Sequence, residues 1–177
     1  MTSLVAETPR LILREQTEDD LAPLLSVLGD EETMSFYPRP YTPEEVLAWI
    51  RRNMRRYRER GFGLWAVVLK ESERVVGQVG LVPQQMEDRE EIEVGWQINR
   101  RVWRRGYATE AAIASRDLAF VEHRLGHLVS LVRPDNVPSA SVARRLGMTV
   151  HRQIVRSGMV HDVWRITRRT WEELRDR

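Results

Sequence analysis

Ile98-Asn99-Arg100-Arg101-Val102-Trp103-Arg104-Arg105-Gly106-Tyr107-Ala108 carries the chain out of a strand and into a helix. Before it, Glu91 to Ile98 alternates strictly, with Ile92, Val94, Trp96 and Ile98 on one face and Glu91, Glu93, Gly95 and Gln97 on the other. That is the period of a strand with one buried side. After it, Tyr107 to His123 reads as a helix opening on small residues, Ala108, Ala111, Ala112 and Ala114. Free N–H groups at a helix start carry partial positive charge, so the turn is a natural cradle for a pyrophosphate, with Arg101, Arg104 and Arg105 adding full charges. An ordinary strand-to-helix loop with a solvated basic rim has the same composition, and the turn alone does not separate the two readings.

Outward from this turn, the pattern alternates strands with helices. Leu11-Ile12-Leu13 after Pro9 predicts a first strand, and Thr17 with Asp20 resembles a capping box opening a helix over Leu21, Leu24, Leu25 and Leu28, stopped by Gly29. Thr42-Pro43-Glu44-Glu45 starts a second helix that runs to about Arg60, before Gly61. Its apolar stripe is Val46, Ile50, Met54 and Tyr57, which leaves Arg51, Arg52, Arg55, Arg56 and Arg58 on the other faces. We read these arginines as a solvated face, because no aromatic interleaving or nucleic-acid motif accompanies them. Leu64 to Lys70 and Arg74 to Val82 form a hairpin across Glu71-Ser72-Glu73. Beyond the central helix come a strand at Leu128 to Val132, a short helix from Asn136 to Leu146, and strands at Val150 to Val155 and Val160 to Ile166. The sum is an α/β (α+β) chain with a mixed, mostly antiparallel sheet of about seven strands and helices on both faces.

Length and composition narrow the function classes. A chain of 177 residues suits one domain, expected over 1–177 with its core at about 9–168. The absence of cysteine excludes disulfide scaffolds, thiolate zinc sites and cysteine nucleophiles, and no metal is expected. Met1 to Ala6 has no signal-peptide pattern and the longest apolar run is Leu64 to Leu69, so the expected compartment is the cytoplasm, with no membrane partner. The formal charge is +2 and the isoelectric point 9.4, because Lys70 is the sole lysine and the other basic side chains are arginine. Arginine suits an anionic cofactor, although a GC-rich genome gives the same bias.

Arg105-Gly106-Tyr107-Ala108-Thr109-Glu110-Ala111 resembles the acetyl-CoA loop of the GCN5-related N-acetyltransferases (GNAT), in the branch similar to the ribosomal-protein-alanine N-acetyltransferases. Pro9-Arg10-Leu11-Ile12-Leu13-Arg14 resembles that branch's first strand and Glu93-Val94-Gly95-Trp96 its fourth. Asn136-Val137-Pro138-Ser139 with Arg145-Leu146-Gly147-Met148 is similar to its N-x-x-S and basic-Leu-Gly-Phe motifs, and Gly158 with His161-Asp162 to its final hairpin. The resemblance implies acetyl-CoA as cosubstrate and transfer of acetyl to a primary amine, a protein N-terminus or a small molecule. It also implies a fourth strand splayed from the fifth, with Trp96 and Ile98 main chain, flanking Gln97, pairing with the thioester carbonyl and pantetheine. Arg101, Trp103, Arg104, Arg105, Gly106, Tyr107, Ala108 and Thr109 would hold the pyrophosphate, with Asn136 and Ser139 as further cofactor contacts.

This chain departs from the family in three places. Trp103 stands where Gln or Arg is usual, Met148 replaces Phe, and the tyrosine that often protonates the leaving thiolate is Ala143. In the branch the chain resembles, the serine of N-x-x-S can take that role, so the resemblance makes Ser139 the candidate acid, against the alternative that it bonds local backbone and Asn136 is a helix cap. An amine attacks only when neutral, so a base is needed, and Glu93 ranks ahead of His161, whose pairing with Asp162 could instead pin the hairpin. Met34 to Pro43 and Gln84 to Glu90 are the loops expected to shape the acceptor cleft. The competing classes are a coenzyme A-binding regulatory module and a nucleic-acid-associated protein; the chain is expected as a monomer or homodimer.

Overall fold

Leu64–Leu69 is buried at all six positions, the mark of a strand covered on both faces, and the sheet grows outward from it. The computed structural model describes residues 3–87 and 89–176. In chain order its elements are β1 (Leu4–Glu7), β2 (Leu11–Arg14), α1 (Leu21–Leu28), α2 (Pro43–Arg60), β3 (Leu64–Leu69), β4 (Val75–Met86), β5 (Arg89–Ile98), α3 (Tyr107–Val121), β6 (His127–Val132), α4 (Val137–Arg145), β7 (Thr149–Arg156), β8 (Met159–Thr167) and α5 (Arg168–Arg175). The eight strands lie in the order β1-β2-β3-β4-β5-β6-β8-β7. Every neighbouring pair is antiparallel except β5 and β6, which run parallel and share a single rung, Glu93 opposite Val129.

This is the mixed, mostly antiparallel α/β architecture the sequence predicts, with one strand more than the seven expected. The addition is β1, four residues too short to show a period, joined to β2 by an antiparallel ladder. α5 was also outside the expected set: the Thr167 hydroxyl caps it by accepting from the Thr170 amide at 3.2 Å, and Trp171 stacks on Phe120 at 5.2 Å. The start of α2 is as read. The Thr42 hydroxyl accepts from the Glu45 amide, the Glu45 carboxylate accepts from the Thr42 amide at 2.8 Å, and Gly61 closes the helix at φ +76°.

Of three apolar clusters among the described residues, one is Met86, Val129 and Val163, and the two larger hold the layers. The larger joins Leu11, Leu13, Val79, Leu81, Val94 and Ile98 of the sheet to Tyr107, Ala111 and Phe120 of α3, Leu146 after α4, and Trp171. The smaller joins Leu24 and Leu28 of α1 to Met34 and to Val46 and Ile50 of α2. On β5 the even residues Ile92, Val94, Trp96 and Ile98 all belong to or pack against the larger cluster, so the predicted faces hold and Glu93 and Gln97 turn the other way. Among the described residues no helix is long and apolar enough to cross a membrane.

Candidate active site

After their one rung, β5 and β6 part, and side chains take the place of the missing ladder. The Ser130 hydroxyl donates to the Val94 carbonyl at 2.6 Å, and the Leu131 amide donates to Glu93 Oε1 at 3.3 Å. Because the Val94 carbonyl faces β6 and successive peptide groups alternate edges, Trp96 and Ile98 present their main-chain groups to the same open side. A cleft of about 370 Å³ fills the fork. Its walls are Glu93 to Gln97 of β5, Ser130 to Arg133, Asn136 and Ser139 at the start of α4, and Ser157, Met159 and His161 of the β7–β8 hairpin. Phe36, Tyr37, Tyr41 and Trp49 roof it.

Glu93, Ser139 and His161, the three candidates for proton transfer, thus line one cleft although 68 positions separate the first from the last. Burial pushes the Glu93 carboxyl above its ordinary value of 4.5, opposed by the Gln84 amide that donates to it at 2.6 Å, by the Leu131 amide and by Arg156. Asn136 caps α4, accepting from the Ser139 amide at 3.1 Å. The Ser139 hydroxyl, by contrast, makes no hydrogen bond among the described residues, so the local backbone bond that would explain a merely structural serine is missing. His161 meets the Met159 carbonyl through Nδ1 at 3.0 Å, and Asp162 instead accepts from Gln153 at 2.7 Å. The expected His161–Asp162 pair does not form, because adjacent strand residues face opposite sides of the sheet.

Behind the roof runs a chain of side-chain amides. Asn53 donates to Gln16 at 3.1 Å, Gln16 to Gln78 at 2.9 Å, Gln78 to Gln97 at 2.9 Å, and Gln97 to the Tyr37 hydroxyl at 2.7 Å. Trp49 Nε1 joins it, donating to the Gln78 oxygen at 3.3 Å. Desolvation holds the Tyr37 phenol up at about 12, so it stays neutral.

The arginine turn lies past the end of β5. Asn99 caps a short 3-10 turn, Arg100–Val102, by accepting from the Arg101 amide at 3.0 Å. Arg104 at φ +62° and Gly106 at φ +82° then bend the backbone twice through the left-handed region. Unlike α2, α4 and α5, α3 has no side-chain cap, and its first bond runs from the Glu110 amide to the Gly106 carbonyl at 3.0 Å. The amides of Tyr107, Ala108 and Thr109 therefore lack intrahelical acceptors. Arg10 braces the turn from the β1–β2 connection: its guanidinium donates to the Arg105 carbonyl at 2.8 Å and to Glu110 at 2.7 Å, and lies 4.6 Å from the centre of the Tyr107 ring. Burial pushes Glu110 up, but the Thr8 hydroxyl and the Arg10 amide and guanidinium together hold it below its ordinary value.

Residues 10–149 match the acetyltransferase (GNAT) domain. The chain belongs to the GNAT acetyltransferase family. The uncharacterized protein YkkB of Bacillus subtilis is 35% identical over 142 residues, 80% of this chain and 83% of that one. An acetyltransferase from Agrobacterium tumefaciens shares 29% identity with a TM-score of 0.79, covering 94% of both chains. The RimL ribosomal L7/L12 alpha-N-protein acetyltransferase in complex with coenzyme A shares the fold, at TM-score 0.75 and 16% identity over 93% of this chain and 98% of that one.

GNAT enzymes take acetyl-CoA, and the turn of this acetyltransferase fits an anion. The uncapped amides of α3 point out of a bend that leaves room for one, and a Cβ at Gly106 would come within 3.3 Å of Arg10 Nη2. Two side chains of this turn brace it. The Tyr107 ring is buried in the core beneath Arg10, which leaves its backbone amide at the helix start, and the Trp103 indole donates to the Ile98 carbonyl at 2.6 Å, pinning the turn to the strand. Of the residues expected to contact cofactor, Trp96, Gln97, Asn136 and Ser139 line the cleft, while Ile98 turns its side chain into the core. One sequence expectation is revised on α2: Arg52 and Arg56 line the cleft of this GNAT enzyme instead of facing solvent alone. The amide chain from Asn53 to Tyr37 had no sequence signal, since its members are scattered glutamines with no spacing in common.

Proposed function

We propose that this GNAT enzyme transfers acetyl from acetyl-CoA to a primary amine, a protein N-terminus or a small molecule, by direct attack in a ternary complex. The observation that carries the reading is a desolvated carboxylate, Glu93, at the fork of a split sheet with an unpartnered hydroxyl, Ser139, on the wall of the same cleft. Acetyl-CoA supplies the activated acyl group as a thioester. Residues 104–109 would hold its phosphates and the open edge of β5 at Trp96 and Ile98 its amide-bearing arm. An amide aimed from that edge at a developing oxyanion needs no reorganisation as charge builds. Glu93 takes a proton from the ammonium directly or through one water, and its raised pKa suits a base working nearer neutrality. Ser139 donates to the departing sulfur, the role left open by Ala143. His161 is the lesser candidate, its Nδ1 already committed to Met159.

Two measurements test this. Acetyl-CoA at a hundred times its Kd will stabilise the fold by about 2.7 kcal/mol, and a melting curve unmoved at millimolar concentration removes the assignment. Ser139→Ala will bind coenzyme A nearly as wild type while kcat falls by about a hundredfold, because positioned proton transfer acts in the transition state. Turnover within about threefold of wild type would leave the thiolate to be protonated by solvent.

A further inference from the structure

Arg52 and Arg56 stand one turn apart on α2, and both lie over the ring of Trp49, 5.5 and 5.7 Å from its centre. Of the other arginines on the helix, Arg51 pairs with Glu18 at 2.8 Å and Arg60 with Glu90 at 2.8 Å, while Arg55 and Arg58 meet no carboxylate among the described residues but, unlike Arg52 and Arg56, do not line the cleft. Neither Arg52 nor Arg56 meets a carboxylate among the described residues. Arg56 donates to the buried Asn53 at 3.2 Å and to no charged group there. Like charges at this helical spacing repel, and burial followed by the charge of Arg52 lowers the Arg56 guanidinium below its ordinary value. A pair of guanidiniums held without counter-charge beside a cleft is a site short of an anion.

The cofactor phosphates do not fill that need. The Arg60–Glu90 pair sets the end of α2 beside the start of β5, and Trp49, through Gln78, sets its earlier half beside Gln97. Arg52 and Arg56 therefore stand level with the middle of β5, where Glu93 lies. From Glu93 to Ile98 the strand advances roughly 17 Å, at about 3.3 Å a residue, and the arginine turn lies beyond. Arg156 reaches the same cleft from β7, and among the described residues Glu93 is the one carboxylate on its walls.

We infer that the acceptor is a primary amine carrying an anionic group, a carboxylate or a phosphate, held by Arg52 and Arg56 while its nitrogen lies at Glu93. The inference deepens the proposed acetyl transfer and rests on it. It sets the cleft against polycationic amines, which would meet uncompensated guanidiniums, and the aromatic roof of Tyr37, Tyr41 and Trp49 accommodates an apolar body between amine and anion.

Two matched acceptor pairs test it: alanyl-phenylalanine against its C-terminal amide, and phosphoethanolamine against ethanolamine. In at least one pair the anionic member will show kcat/KM at least tenfold higher, and which pair responds separates carboxylate from phosphate. Arg52→Gln combined with Arg56→Gln will bring that ratio within threefold; Arg52→Gln alone, at an exposed position, serves if the double variant does not fold, as judged by its acetyl-CoA melting shift. Equal efficiencies within both pairs, or a ratio unchanged by the variants, overturn the inference. Binding of the same four compounds, followed by tryptophan fluorescence without acetyl donor, keeps the two readings apart. If no amine is turned over, the acetyl-transfer reading falls. A binding preference of at least tenfold for an anionic member then still upholds the arginine pair, and equal binding overturns it.

Discussion

Gly106→Glu will bind coenzyme A at least a hundredfold more weakly than the wild-type chain, and its melting temperature will no longer respond to acetyl-CoA. Three costs act together at this position. Gly106 lies at φ +82°, where an L side chain is strained by about 1–3 kcal/mol. Its Cβ would approach Arg10 Nη2 to 3.3 Å and press on the brace that holds the Arg105 carbonyl. The new carboxylate would itself cover the uncapped amides of α3, the groups an entering phosphate needs. About 2.7 kcal/mol of lost binding corresponds to the hundredfold change. Gly106→Ala separates the causes, since it keeps the backbone strain and drops the charge, and will lose less affinity. A folded Gly106→Glu chain with wild-type affinity would place phosphate binding elsewhere.

Glu93→Gln will lower kcat by about a hundredfold or more while leaving coenzyme A affinity nearly unchanged. The amide is close in shape and can still accept from the Leu131 amide, so the fork should survive; only the ability to take a proton is removed. The wild-type pH profile carries a second signature. Burial raises the Glu93 pKa above 4.5, so the base is lost as pH falls through that raised value, and the acidic limb of kcat/KM will lie above the usual carboxylate range. The sign for stability is opposite to that of a salt-bridged carboxylate. The fold favours protonated Glu93, a contribution present at low pH and lost as pH rises through the raised pKa. In Glu93→Gln that acidic limb will disappear; an unaltered limb and unaltered kcat would exclude Glu93 as the base.

The legible parts of the sequence were those with a period or a cap. The alternation from Glu91 to Ile98 assigned β5 its two faces, and Thr42-Pro43-Glu44-Glu45 located the start of α2, because each is a local rule that packing then reinforced. β1 and α5 escaped because four residues hold no period and because the anchor of α5, Trp171 on Phe120, joins positions 51 apart. Within the site, the motif residues Glu93, Asn136 and Ser139 were readable, and their convergence on one cleft follows from the β5–β6 pairing. The arginines of α2 were misjudged for a physical reason. A helix's solvent face and its cleft face have the same composition when the cleft binds a charged group, and only tertiary placement separates Arg52 and Arg56 from Arg55 and Arg58. The Arg10 brace was likewise invisible, since its partner Glu110 lies 100 positions away.

The fork between β5 and β6 also bears on how the interior of the sheet is guarded against strand pairing. Past Glu93 both strands lack ladder partners across the fork in the interior of the sheet, a template of the kind that recruits foreign strands and that most folds confine to a periphery guarded by charge, proline or bulges. Here the guard is made of side chains and cover: Ser130 and Glu93 occupy the first hydrogen-bonding places, and the aromatic roof and the start of α4 close over the remainder. The opening proposed to take the amide-bearing arm of the cofactor is thereby bordered by side chains, and a group proposed for catalysis, Glu93, is among those that stand in for the missing ladder.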